Sequence, residues 1–201
     1  MFLYNEVQKR EANHERVRVG LIGAGKFGSM FLSQVPFTIG LEVISIVDIC
    51  VENAKKNCRD VGWTKEQIDS VLFFDNLKKM VSQTKIDVLV EATGDPVEGT
   101  RHALIAIEEG LDIVMVNVEA DVLSGPYLAK EADKAGIVYS MAYGDQPALT
   151  TELVEWARAS GFNVVAAGKG TKYLPQYHYS TPDTVWDCLL YTSPSPRDGI
   201  G

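Results

Sequence analysis

Cysteine is scarce in this sequence: Cys50, Cys58 and Cys188 are the only three among 201 residues. Three cannot build a disulfide framework, and the eight-residue spacing of Cys50 and Cys58 matches no common zinc-ligand pattern. Each is expected to be a free thiol in a reducing compartment. Basic residues are also in deficit, with 19 Lys and Arg against 27 Asp and Glu and a net charge of −8. Nucleic acid needs a basic face and anionic lipid repels an acidic one, so neither is an expected partner. Long hydrophobic runs are missing as well. No stretch approaches the roughly 20 apolar residues of a membrane span. The first residues, MFLYNEVQKREANHER, turn charged without the apolar core of a signal peptide. No internal repeat is visible. These absences leave a soluble, cytoplasmic protein with no membrane attachment as the expectation.

What is present is an ordinary globular balance, 46% hydrophobic and 23% charged, sufficient to bury a core. A short charged helix is expected over residues 3–15. The runs VRVGLI (17–22) and LEVISIV (41–47) have the continuous apolar character of strands buried on both faces. Between them a glycine-rich turn at 23–28 precedes a helix over 29–35 that Pro36 stops. The alternation continues with helices at 51–59, 64–69, 77–83, 96–109 and 122–135, and strands at 71–74, 86–90, 113–116 and 137–140. Asp95 marks the start of the helix at 96–109 and Gly110 its end. Such alternation predicts an α/β fold, a doubly wound parallel sheet of Rossmann type. After Tyr143 the pattern restarts with a helix from about Pro147 to Ser160, a strand at 163–167 and a loop at 168–172. This is read as the start of a second, substrate-side domain.

Gly23-Ala24-Gly25-Lys26-Phe27-Gly28 is a GxGxxG hexad, weak by itself and informative through its context. A strand precedes it, a helix follows, and Asp48 stands 20 residues beyond Gly28 at the end of the next strand. Gly23 permits the tight turn, Gly25 lets backbone approach a pyrophosphate, and Gly28 lets helix pack on strand. The helix N-terminus, with Lys26 and Phe27, offers N–H groups and positive potential to the phosphates. Asp48 is placed to accept from the adenosine ribose hydroxyls. An acid there favours NAD, while Lys55, Lys56 or Arg59 lies near enough to meet a 2′-phosphate, so NAD and NADP both stay open.

Open α/β sheets hold ligands beyond the carboxyl ends of their strands. Thr93 and Gly94, in EATGDP, are therefore expected at the nicotinamide half, although an ordinary turn with Asp95 as N-cap fits the same residues. Asn117 follows the next strand at the same edge and is counted with the cofactor residues. Glu119 and Asp121 beside it are either acid–base groups or helix-start charges. Lys169 and Lys172 are candidates to bind a phosphate or carboxylate or to protonate an alkoxide, with Tyr143 and Asp145 as neighbours. His14 and His102 are read as structural or surface residues. No metal set can be assigned.

Taken together, VRVGLIGAGKFGSMFLSQVP, EATGDP, VMVNVEAD, VYSMAYGDQPAL and VAAGKGTKYLPQYHYSTPDTVWD resemble the SAF-domain, homoserine-dehydrogenase-like oxidoreductases. That group includes proteins similar to 1-deoxy-D-xylulose 5-phosphate reductoisomerase. The resemblance covers about residues 16–187. It implies a dinucleotide-binding domain at 16–143 and, at 144–187, the start of a catalytic and oligomerisation domain. It also implies a homo-oligomer when full length and a SAF domain beyond this chain. Where homoserine dehydrogenases carry an Asn-Lys pair, this sequence has Asn117 followed by Val118, which argues against homoserine as substrate. The last stretch, CLLYTSPSPRDGIG (188–201), resembles a translated sequencing adaptor, so the natural protein is expected to continue past Asp187.

The expected activity is hydride transfer between a nicotinamide and a carbonyl or hydroxyl carbon of a small polar substrate. Lys169 or Lys172 would serve as electrophile or proton donor, and Glu119 and Asp145 would position the substrate or a metal. A non-catalytic dinucleotide-binding module, or a fragment that binds cofactor without turnover, is the alternative on the same residues.

Overall fold

A strand covered on both faces needs apolar side chains on both, and the run Val17–Ile22 supplies them as β1, its last four residues buried. The structure, a computed structural model, describes residues 3–143, 146–168, 179, 181, 183 and 184. The other strands are β2 (Leu41–Val47), β3 (Leu72–Phe74), β4 (Val88–Glu91), β5 (Asp112–Met115) and β6 (Tyr139–Met141). They form one sheet in the order β3-β2-β1-β4-β5-β6, with every pairing parallel. The chain starts at the centre, winds outward to β3, returns to β4 beside β1, and winds outward again. This is the expected doubly wound sheet, and its winding reverses between β1 and β4.

The helices are α1 (Leu3–Ala12), α2 (Lys26–Gln34), α3 (Val51–Asp60), α4 (Lys65–Asp69), α5 (Leu77–Gln83), α6 (Pro96–Glu109), α7 (Val118–Ala135) and α8 (Gln146–Ala159). Leu32 of α2, Ala54 and Cys58 of α3 and Ile68 of α4 share one buried cluster with Leu21 and Ile46. Leu77 and Met80 of α5, Ala103 and Ala106 of α6 and Leu128 of α7 share the other with Ile22 and Leu89. Each face is thus closed by its own helices, and each fully buried large aliphatic contributes about 1.5–3 kcal/mol. A Cβ at Gly20 would lie 2.9 Å from the Met80 Cε, so the α5 methionine side chain fills the space beside this glycine at the centre of the sheet.

Several boundaries differ from the sequence expectation for identifiable reasons. Helix α2 begins at Lys26 rather than Ser29, because the end of the glycine turn is already helical and the Ser29 N–H donates to the Gly25 carbonyl at 2.8 Å. Pro36 sits in a 3-10 turn, Val35–Phe37, that follows the helix. Helix α7 begins at Val118 rather than 122, because the Asn117 Oδ1 accepts the Ala120 N–H and caps it. Helix α1 stops at Ala12, where His14 turns left-handed at φ 58°. Residues 163–167, expected as a strand, have no regular structure; among the described residues no strand pairs with them.

The chain divides after Tyr143. Beyond it, α8 ends at a left-handed Gly161, with the Phe162 N–H returning to the Ala157 carbonyl. No helix among the described residues is long and apolar enough to cross a membrane.

Helix α1 buries no residue of its own, and Glu11 ties it to the sheet. One carboxylate oxygen of Glu11 accepts from the Arg16 Nε at 2.8 Å and from the Gly40 N–H at 2.9 Å. The Arg16 guanidinium, then the Gly40 amide, lower the Glu11 pKa from 4.5 to about 2. A lowered folded-state pKa gives stability present above the ordinary value and lost as pH falls through the folded one. Amide protection across α1, taken relative to intrinsic exchange at each pH, should therefore fall between about pH 4.5 and 2 in the wild type. Glu11→Gln should flatten that dependence, and equal acid sensitivity in both proteins would contradict the tether.

Candidate functional site

Beyond the last residue of β1 the chain must turn against the exit of β4, and Gly23 does so at φ +88°. A Cβ there would stand 3.0 Å from the Ala92 carbonyl group and the Thr93 nitrogen. Two residues on, Gly25 is the N-cap of α2 in extended geometry, and a Cβ would meet nothing within 4 Å. That space lies directly before the positive end of a helix. At Gly28 the reverse holds, because a Cβ would overlap the carbonyl oxygen of Gly23. The three glycines thus serve three separate needs: a left-handed turn, an open approach and a close crossing.

Asp48 leaves β2 at the same edge. Its Oδ2 accepts the Ala24 N–H at 3.0 Å and its Oδ1 accepts the Cys50 N–H at 2.9 Å. A carboxylate has about four lone-pair sites, so two remain for a ligand's hydroxyls. The Ala24 carbonyl accepts from the Asn57 Nδ2 at 2.7 Å and from the Ser29 hydroxyl at 3.2 Å, which fixes the turn from its other side. Asn57 carried no sequence signal. Phe27 is half-buried and packs against the core beneath α2, so its backbone rather than its ring faces the turn. Lys26 is exposed.

Beside Asp48 and the glycine turn opens a cavity of about 540 Å³. Ile22, Val47, Ile49, Leu77, Ala92 and Ile105 give it apolar walls, and Thr93, Asp95, Glu98, Arg101 and His102 line its α6 side. Some of its charges are paired: Arg101 with Glu98, and Asp75 with Lys79, which holds the Asp75 carboxyl below its usual range. The lysines considered for a 2′-phosphate engage acids of their own helix, Lys55 with Glu52 and Lys56 with Asp60.

The β4–α6 turn carries a polar network. Asp95 caps α6, accepting the Val97 and Glu98 N–H groups at 2.9 and 2.8 Å, and Gly94 is left-handed at φ +78°. The Thr93 hydroxyl donates to the Glu91 Oε1 at 2.6 Å, and the His102 Nδ1 lies 3.1 Å from the same oxygen. Glu91 is fully buried, and among the described residues its Oε2 has no hydrogen-bond partner. Asn117 is almost fully buried too. Its amide donates to the Asp95 carbonyl at 2.8 Å and to the Thr93 hydroxyl at 3.4 Å, so it braces the turn from behind.

The structure therefore brings Gly23, Gly25, Gly28, Asp48, Thr93, Gly94 and Asn117 to one sheet edge. His102, read from sequence as structural, lines the cavity. Its spacing with Glu98, Arg101 and Ile105 on one face of α6 was the available signal. Glu119 is exposed in the first turn of α7. Asp121 accepts from the Tyr139 hydroxyl at 2.8 Å, and that phenol is held protonated by burial and by this bond. Asp145, Lys169, Lys172 and His178 lie outside the described residues. No cluster of three potential metal ligands occurs among the described residues.

The glycine cradle, the open approach at Gly25 and the two lone-pair sites on Asp48 fit a dinucleotide. Comparison with known proteins agrees. Residues 19–142 match the homoserine dehydrogenase NAD-binding domain, and residues 144–196 match the catalytic domain of oxidoreductase DRL. No curated protein matches the chain. Among solved structures, the WlbA dehydrogenase of Bordetella pertussis, in complex with NADH and UDP-GlcNAcA, is similar at 22% identity and a TM-score of 0.54. That match covers 73% of this chain and 42% of that one. The WlbA dehydrogenase of Chromobacterium violaceum is similar at 19% identity and a TM-score of 0.54, over 72% and 40% of the two chains. A scyllo-inositol dehydrogenase of Lactobacillus casei, with bound NAD(H) and scyllo-inositol, is similar at 11% identity and a TM-score of 0.54, over 71% and 42%. The chain spans about two fifths of the length of these structures.

The glycines separate folding from binding in a testable way. Gly28→Ala should lose at least ~1–3 kcal/mol of stability in urea unfolding, because its methyl has no space. Gly25→Ala should change stability by less than about 1 kcal/mol, because its φ of −71° suits any residue. Equal losses at the two positions would contradict the geometry.

Proposed function

The chain belongs to the family of the homoserine dehydrogenase NAD-binding domain, and from that membership we propose that the whole protein is an NAD(P)-dependent oxidoreductase. Its substrate is a small polar molecule, phosphate-bearing, with a carbonyl or hydroxyl carbon that exchanges a hydride. The reading rests chiefly on one observation: Asp48 is bonded to the glycine turn through the Ala24 N–H at the mouth of the cavity. Asp48 would hold the ribose, and the backbone at Gly25 with the α2 N-terminus would hold the pyrophosphate, where dipole and close approach favour it. Thr93 and Gly94 would border the other half of the nucleotide. The bound dinucleotide supplies a nicotinamide ring that gives or takes the hydride. The chain supplies the ring's placement, through a turn that Asn117 and Glu91 brace from behind.

A hydride delivered to a carbonyl leaves an alkoxide that needs a proton, and a positioned lysine can supply it. We assign that proton to Lys169 or Lys172, whose residues fall in the stretch that matches the DRL catalytic domain. Glu119, at the same sheet edge as Thr93, and Asp145 position the substrate. The proposal extends to a sugar-phosphate-like substrate of the reductoisomerase-like kind rather than homoserine, and to a SAF domain in the complete protein, on the resemblance of the sequence motifs and on Val118 standing where homoserine dehydrogenases carry a lysine.

Titration of NADH and of NADPH fluorescence tests the cofactor step. At least one should bind, and Asp48→Ala should weaken it by about tenfold or more, the effect of losing hydrogen bonds to a charged acceptor. Absence of binding by both nucleotides would overturn the reading. In the complete protein, Lys169→Ala or Lys172→Ala should lower kcat by about 100-fold or more while cofactor affinity stays unchanged. Full turnover in both variants would remove these lysines from the chemistry.

A further inference from the structure

Burying a carboxylate in an apolar core is costly, and leaving one of its oxygens without a partner adds to the cost. Among the described residues Glu91 does both, at the end of β4. Its single bonded oxygen, Oε1, holds two groups that face the cleft: Thr93 on the turn and His102 on α6. The direction of the hydrogens can be worked out. The Thr93 hydroxyl receives the Asp95 N–H and the Asn117 amide, so its own hydrogen goes to Oε1. As a carboxylate Glu91 carries no hydrogen of its own, so Oε1 only accepts and the hydrogen between it and His102 sits on Nδ1. In the neutral ring Nε2 is then the acceptor left over. Among the described residues no hydrogen bond reaches it. The ring is largely buried, with 15% of its side chain exposed, and that exposure is on the cavity.

We infer that His102, held in one tautomer by Glu91, is a specificity-determining acceptor for the base of the nucleotide, and that the base it selects is adenine. The inference rests on the cofactor reading above. Asp48 takes the ribose hydroxyls at the mouth, so the base enters the part walled by Ile22, Val47, Ile49, Ala92 and Ile105. Adenine joined to ribose has one N–H donor, its exocyclic amine. A fixed acceptor on the wall of the cavity binds that amine and opposes a base with a carbonyl oxygen in its place. Glu91 is the positioning residue. It touches no ligand, and without it either ring nitrogen could carry the hydrogen.

Binding of NADH is compared with binding of its hypoxanthine analogue, in which the amine is replaced by a carbonyl oxygen. The readout is the ratio of the two dissociation constants, which a general loss of packing does not move. The wild-type chain should bind NADH about tenfold more tightly, the effect of one buried hydrogen bond. His102→Phe should bring the ratio close to one, with binding of the hypoxanthine form largely preserved. Glu91→Leu, with folding checked by thermal melting, should lower the ratio severalfold while His102 remains. A wild-type ratio near one, or a ratio that survives His102→Phe, overturns the inference. Failure of the wild type to bind either nucleotide is a separate result, which overturns the cofactor reading and this inference with it.

Discussion

The carbonyl oxygen of Gly23 occupies the space that any side chain at residue 28 would need. That one close crossing decides how α2 leaves β1, and much else is arranged around it. It lets the helix begin immediately after the turn, at Lys26, with Gly25 open before it. It also brings the Ala24 N–H to the Asp48 carboxylate, so the ends of β1 and β2 are locked by a bond at the point where a nucleotide would lie. A side chain at Gly23 would crowd the backbone of Ala92 and Thr93, which carries the same constraint across to β4. The turn is thus held from β2 by Asp48, from α3 by Asn57 and from β4 by contact.

The rest of the sheet is apolar, and its polar exceptions are placed with purpose. The buried polar or charged residues among those described are Ser45, Glu91 and Asn117. Two of the three sit just at or beyond the ends of β4 and β5, behind the turn that borders the cleft. Buried polar groups cost stability unless satisfied, so a network at that edge is better explained by positioning than by folding. Glu91 and Asn117 both bond the Thr93 hydroxyl, and Glu91 also accepts the Thr93 N–H.

Much of this was legible in the residues because it follows from periodicity and punctuation. The ranges of β1, β2, α5 and α6 match the expectation, since apolar runs bounded by Gly, Asp or Pro leave little freedom. The starts of α2 and α7 were set too late. Their first turns are built from turn-forming residues, Gly25 and Asn117, which act there as helix caps. The strand expected at 163–167 did not form, because an apolar run specifies a strand only when another strand lies beside it. The Glu91–His102 pair was not legible at all. One residue ends a strand and the other lies 11 positions later in a helix, and only the packing of α6 on β4 brings them together.

The central claim is that the edge between Gly23 and Asp48 holds a dinucleotide. A crystal structure of this chain grown with NADH would test it most directly. The account predicts the adenosine ribose hydroxyls within hydrogen-bonding distance of the Asp48 carboxylate and the pyrophosphate against the backbone at Gly25. A nucleotide bound elsewhere on the chain, with Asp48 and Gly25 untouched, would contradict it.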